Sequence, residues 1–283
     1  MREVNVGWLL LWLSMGVGLL LSTVTHAEVV QASLPNKMGA LADYRAGQAD
    51  KPAVILLHGF LQTRLALPMS ALAQTLATAG YTVLVPTLSG GYHLRNQTLA
   101  CEAAHNHSMS MDSDELEFWV NWLVQRTRKP IILVGHSTGA NVVLYYVSAQ
   151  QPSQRIQQAI LVSVVPIKID PGEYQRALKM PESNNLARYT MAYCKHSYAT
   201  THANYLSYAA WNEAAIIRAL QHSKVPMSVL VGSRDMVLPA GWRARLQRSY
   251  PAAVVVPGAG HFFDGTAEWD LSDFVLNQLT LSK

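Results

Sequence analysis

Three short segments carry residue types that could perform nucleophilic chemistry together. Gly135-His136-Ser137-Thr138-Gly139 fits the pattern G-x-S-x-G. Four apolar residues, Ile131 to Val134, precede it, and a helix-like Ala-Asn-Val-Val-Leu-Tyr-Tyr run follows. A strand, a tight turn and a helix in that order lift a serine hydroxyl clear of its neighbours. The helix N-terminus then offers N–H groups where negative charge develops. The flanking glycines permit the sharp turn and keep the walls from crowding the serine. A serine hydroxyl is a weak nucleophile at neutral pH, so it needs a base beside it and an acid to orient that base. His261, in Gly258-Ala259-Gly260-His261, follows the apolar run Ala253 to Val256 and has small neighbours. Asp235, in Gly232-Ser233-Arg234-Asp235, follows Met227 to Val231. Asp264 is a less apt acid, only three residues past the histidine. His58-Gly59-Phe60-Leu61 follows a further apolar run. Its Phe60 N–H, with that of Thr138, is expected to hold an oxyanion. His58 is expected to bond its own loop, and Arg234 to sit at the surface.

The elements that must position these residues alternate along the chain. Glu28 to Leu34 and Ala40 to Arg45 read as short edge strands with a hairpin between them. Ala53 to Leu57 is unbroken and apolar, which suits a strand buried on both faces of a parallel sheet. Further strands are expected at Tyr81–Val85, Ile131–Val134, Ala159–Val165, Met227–Val231 and Ala253–Val256. Helices are expected at Met69–Ala79, closed by Gly80, and at Ser113–Gln125, capped by Ser113 or Asp112. Others are expected at Ala140–Ala149, Trp242–Ser249 and Leu271–Leu279. This alternation implies an α/β domain, with a mostly parallel sheet and helices on both faces. Ile167 to Lys224 is too long for one crossover and reads as an inserted helical cap, rich in Tyr and Trp.

Composition bounds the rest. The chain has 283 residues, 50% apolar and 14% charged. It can bury a large core, and it is neither a disordered chain nor a nucleic-acid-coating one. The formal charge is +4 with a pI near 9.0. Arg126, Arg128 and Lys129, and Arg243, Arg245 and Arg248, read as solvated faces, not as a nucleic-acid patch. Arg2, the apolar run Val6 to Leu21 and the stretch Ser22 to Ala27 have the three regions of a signal peptide. Cleavage after Ala27 is expected, leaving residues 28–283 as a periplasmic or secreted domain. Association with a membrane is expected only if this segment stays uncleaved. In an exported chain the two cysteines, Cys101 and Cys194, are expected to join. Cys101, His105 and His107, beside Glu102, match no strong zinc spacing, so no metal is expected there.

The four strand-following motifs resemble those of the α/β-hydrolase superfamily over nearly the whole mature chain. The order Ser, Asp, His is also that of this class. The resemblance implies an eight-stranded sheet, a cap inserted after the sixth strand, and hydrolysis of an ester, thioester or amide. The expected activity is that of a carboxylesterase-like serine hydrolase without cofactor, acting on a small-molecule acyl ester through Ser137, His261 and Asp235. Aromatic residues of the cap could line the acyl pocket. A thioesterase is one alternative. A peptidase of the proline iminopeptidase kind is another; it would use a cap carboxylate (Glu173, Glu182 or Glu213) for a free amine. A non-catalytic binding protein on the same fold is a third, weakened because each catalytic position holds a competent residue.

Overall fold

A computed structural model describes residues 27–181 and 183–281. The expected signal segment lies outside these residues except for Ala27. The chain forms β1 (Glu28–Ser33), β2 (Gly39–Arg45), β3 (Ala53–Leu57), α1 (Met69–Thr78), β4 (Thr82–Thr87) and α2 (Met109–Val124). Then come β5 (Ile131–His136), α3 (Thr138–Ala149), β6 (Ile156–Val162), α4 (Pro171–Ala177), β7 (Ala187–Met191) and β8 (Cys194–Thr200). The last elements are α5 (His202–Ala209), α6 (Glu213–His222), β9 (Met227–Gly232), α7 (Trp242–Ser249), β10 (Val254–Val256) and α8 (Ala267–Leu281).

Eight strands form one sheet in the order β1-β2-β4-β3-β5-β6-β9-β10. β1 and β2 pair antiparallel at one edge, and the strands from β4 to β10 in that order run parallel. The central strands are apolar throughout because both faces are covered. Along β5, Ile131 and Leu133 face one core and Ile132 and Val134 the other, as the two-residue period requires. The first core is closed by α2, α3, α6 and α7, the second by α1 and α8.

Some boundaries differ from the sequence expectation. Helix α2 starts at Met109, capped by Ser108, whose hydroxyl accepts from Met111 N–H at 3.2 Å. Asp112 and Ser113 therefore lie inside the helix and are buried. The sheet strand after α3 lies at Ile156–Val162, earlier than expected, because Ser163 has φ 50° and breaks the extended run.

The insertion between β6 and β9 carries helices α4, α5 and α6 and also a separate antiparallel hairpin, β7–β8. Alternation in this hairpin is weak in the sequence, which hid it. Helix α6 packs against α3 and α7 of the main domain, whereas α4, α5 and the hairpin pack together. Of the insertion's aromatic residues, Tyr189, Tyr198, Tyr205 and Tyr208 are buried, and Tyr189 stacks on Tyr205 at 4.1 Å between ring centroids.

The hairpin is tied down at both ends of β8. Cys101 and Cys194 form a disulfide, with their Cα atoms 5.6 Å apart. At the other end of β8, His105 N–H donates to Ala199 O at 2.8 Å and Thr200 Oγ1 donates to His105 O at 2.6 Å. The bridge spans 93 residues of sequence, so it restricts the unfolded chain widely. The double variant Cys101→Ser/Cys194→Ser is expected to lose about 2–4 kcal/mol of stability. Urea denaturation of both proteins measures this; an unchanged midpoint would contradict it.

Candidate active site

The site lies at the carboxyl ends of the parallel strands. Ser137 follows β5 directly and has φ 56° and ψ −122°, a strained conformation for a side-chain-bearing residue. Its surroundings hold it there. Ser137 N–H donates to Val162 O at 2.9 Å, and Ser137 O accepts from Ala140 N–H at 2.9 Å as α3 begins. The two glycines of the turn are needed for close approach. A Cβ at Gly135 would come within 2.5 Å of Gly139 O, and one at Gly139 within 2.3 Å of His58 O. No side chain fits at either position.

Ser137 Oγ lies 2.9 Å from His261 Nε2. His261 Nδ1 lies 2.9 Å and 3.0 Å from the two carboxylate oxygens of Asp235. All three side chains are buried. The tautomer this requires has Nδ1–H donating to Asp235, leaving Nε2 free to accept from the serine. Burial raises the Asp235 carboxyl, but bonds from His261, Ser163 and Val237 N–H outweigh it, and the group sits below its ordinary value. Asp264 is exposed and has no part in this contact.

Beyond the serine lie two backbone donors. Among the described residues, neither Phe60 N–H nor Thr138 N–H has a hydrogen-bond partner. Thr138 is the first residue of α3, where N–H groups lack intrahelical partners. The Phe60 loop is clamped from behind. His58 Nδ1–H donates to Gly59 O at 2.9 Å and its Nε2 accepts from Leu88 N–H at 3.1 Å. Burial and the nearby Arg95 charge lower His58 to about 3, so it is neutral and structural. Arg95, also buried, donates to Leu61 O at 3.0 Å, Gln62 O at 2.6 Å and Leu88 O at 2.7 Å.

Three supporting residues carry no signal that sequence reading could isolate. Ser163 Oγ donates to Asp235 Oδ2 at 2.9 Å, and it was hidden inside an apolar run. His136, at the variable position of the serine turn, donates from Nε2 to His261 O at 2.8 Å. Arg95 lies in a loop with no pattern around it. A basic residue with hydrophobic surroundings in space was needed to single it out. Arg243, expected on a solvated face, instead reaches Ser233 O at 2.6 Å and braces the Asp235 loop.

The remaining residues expected near chemistry have other partners. Cys101 is in the disulfide and is not a thiolate. His105 stacks on Tyr198 with centroids 4.1 Å apart. His107 Nδ1 lies 2.9 Å from Asp112 Oδ1, and Tyr208 bonds both. Among the described residues no group of three His, Cys, Asp or Glu is arranged around a metal position.

A cleft of about 830 Å³ opens over Ser137 and His261. Its walls come from the Phe60 loop, the chain after β6 (Val165 to Asp170), the β7–β8 turn, and the loops after β9 and β10. It is mostly apolar. Among the described residues Tyr193 is the only aromatic residue of the insertion that lines it; Tyr189 and Tyr205 stack on each other, while Tyr198 packs on Phe60 and His105, and Trp211 on Tyr145 of α3.

A central parallel sheet with a buried Ser–His–Asp contact at its carboxyl edge defines the class of protein. The alpha/beta hydrolase family model matches residues 54–268, and the chain belongs to that family. Solved structures with the same fold include Est1E from Butyrivibrio proteoclasticus, at 14% identity and a TM-score of 0.63, covering 90% of this chain and 99% of that one. The alpha/beta hydrolase GrgF from Penicillium sp. sh18 is similar at 16% identity and a TM-score of 0.67, covering 91% and 98%. A structure from work on LipS and LipT, two metagenome-derived lipolytic enzymes, is similar at 16% identity and a TM-score of 0.60, covering 88% and 99%. A comparison with curated proteins finds no match.

Two predictions follow from the buried polar groups. Ser163→Ala leaves Asp235 with one bond fewer, and turnover of an activated ester is expected to fall about 3- to 30-fold. Steady-state kinetics with a p-nitrophenyl ester tests it; unchanged turnover would show that Ser163 does not position Asp235. Burial raises the Glu115 carboxyl to about 7. The folded protein therefore holds this proton when the unfolded chain, with a value near 4.5, has lost it. Stability is expected to fall as pH rises from about 4.5 to about 7. In Glu115→Gln that decline should shrink, measured as melting temperature at pH 5 and pH 8.

Proposed function

We propose that this protein is a serine hydrolase that cleaves carboxylic esters through an acyl-enzyme. The observation that carries the reading is the 2.9 Å approach of Ser137 Oγ to His261 Nε2, with Asp235 on the other ring nitrogen. Ser137 attacks the carbonyl carbon as His261 takes its proton. Asp235 holds the imidazole in the required tautomer and stabilises the imidazolium. The N–H groups of Phe60 and Thr138 receive the charge on the carbonyl oxygen. His261 then gives its proton to the leaving alcohol. Water enters, His261 accepts its proton, and the acid is released with the serine restored. The side chains, the two backbone donors and water together complete this cycle, which calls for no cofactor.

The apolar cleft favours a small-molecule acyl ester over a charged peptide. A peptidase with a free-amine subsite would need a cap carboxylate open to the cleft, where Asp170, the helix cap of α4, is the one that lines it among the described residues. Glu173 is buried and occupied by Thr190 N–H and His196. Glu213 pairs with Arg245 at 2.6 Å, and Glu182 is outside the described residues. A thioester would use the same serine and the same oxyanion donors. The apolar N-terminal run and the disulfide support a periplasmic or secreted location.

A fluorophosphonate probe tests the reading. The wild type is expected to be labelled, and Ser137→Ala and His261→Ala are not. Ester turnover should fall about 10⁴-fold or more in both variants. A graded panel of acyl chains then measures the pocket. A folded wild type that takes no label would overturn the hydrolase reading and favour a binding role.

A further inference from the structure

Exposed apolar side chains gather around the mouth of the cleft. Met236 is 90% exposed, Tyr193 61% and Val237 53%, and all three line the cleft with the exposed Phe262. Leu65 and Leu67 are also exposed and flank Ala66, which lines it too. These six come from four separate segments: the loop before α1, the β7–β8 turn, the loop after β9 and the loop after β10. A folded chain usually buries such groups, and a contiguous exposed group around a functional opening marks a surface that meets another apolar phase.

Lys168 and Lys195 are exposed on the cleft wall and form no ion pair among the described residues. Two of the nearby acids have partners: Asp170, itself on the cleft wall, accepts from Glu173 N–H at 2.8 Å to cap α4, and Glu173 is buried against His196, while Asp264 is exposed two residues past Phe262. The whole chain is basic, at +4. Apolar groups that enter the acyl boundary, flanked by lysines that meet headgroups, fit an anionic lipid surface.

We propose that the rim of Leu65, Leu67, Tyr193, Met236, Val237 and Phe262, with Lys168 and Lys195, docks the protein on an anionic lipid surface with the cleft mouth facing the lipid. Docking itself does not depend on hydrolysis. The further consequence, that docked enzyme draws its ester from the lipid phase, rests on the ester-hydrolase reading. The rim would then join the cleft to the lipid without an aqueous step for the acyl chain.

The experiment separates the two. Ser137→Ala protein is mixed with vesicles of phosphatidylglycerol and phosphatidylcholine, or of phosphatidylcholine alone, and sedimented. All variants carry the same N-terminus. Binding is expected to favour the anionic vesicles, and to fall about fivefold for each of Lys168→Gln and Lys195→Gln. Leu65→Ser/Leu67→Ser, two rim residues outside the cleft lining, in the same background should bind both vesicle types more weakly. With Ser137 intact, that double variant should keep its kcat/KM on a monomeric short-chain ester and lose turnover of a vesicle-borne ester. Equal vesicle binding by parent and rim variants would overturn the proposal. So would a concentration-dependent dimer of the parent that is absent from the rim variant, since a second copy would then cover the rim. A protein that binds as expected but turns over no ester would keep the docking surface and fail the hydrolase reading alone.

Discussion

The parallel hydrogen-bond ladder is the constraint on which the site depends. It continues one residue past the strands at their carboxyl ends. Ser137 N–H donates to Val162 O, Ser163 N–H to Leu230 O and Ser233 N–H to Val256 O, at 2.7 to 2.9 Å. The loops after β5, β6 and β9 are therefore pinned in one row, and Arg234 N–H, donating to Ala259 O at 2.9 Å, ties the loop after β10 to it. Parallel strands place all their carboxyl ends on one edge, so residues far apart in sequence arrive together. Ser137 and His261, 124 residues apart, meet for this reason.

Around that row, buried polar groups are nearly all spent on holding loops. Arg95 and His58 fix the Phe60 loop through backbone carbonyls and an N–H. Ser163 and the Val237 N–H fix Asp235, and His136 fixes the backbone of His261. Such bonds strengthen in a low-dielectric interior, and leaving a partner unmade there is costly. The strain at Ser137 persists because the ladder before it and α3 after it leave the turn no other path.

The insertion has a different logic. Its buried tyrosines extend the core on one face of the sheet, and the disulfide joins its hairpin to the loop ahead of α2. The hairpin turn is thereby held over the cleft, where Tyr193 and Lys195 face the opening. The sheet edge thus holds Ser137, Asp235 and His261 together, and the insertion supplies one wall of the space above them.

The sequence by itself determined the alternation of strands and helices, the two-faced burial of the central strands, and the strand ends that carry Ser137, Asp235 and His261. These are local properties: apolar runs, glycine-bounded turns and their order along the chain. The pairing of Cys101 with Cys194 was expected from their number and from the signal-like N-terminal run in the sequence, but their 5.6 Å spacing belongs to the fold. Only the tertiary structure revealed Ser163, Arg95 and Arg243 as supports, since each acts on a segment distant in sequence. It also decided that Asp112 is inside α2, that the insertion contains a hairpin, and that most of its aromatic residues pack inward while Tyr193 faces the cleft. Side-chain direction and partner choice in these places depend on what lies across the fold, and no local pattern encodes that.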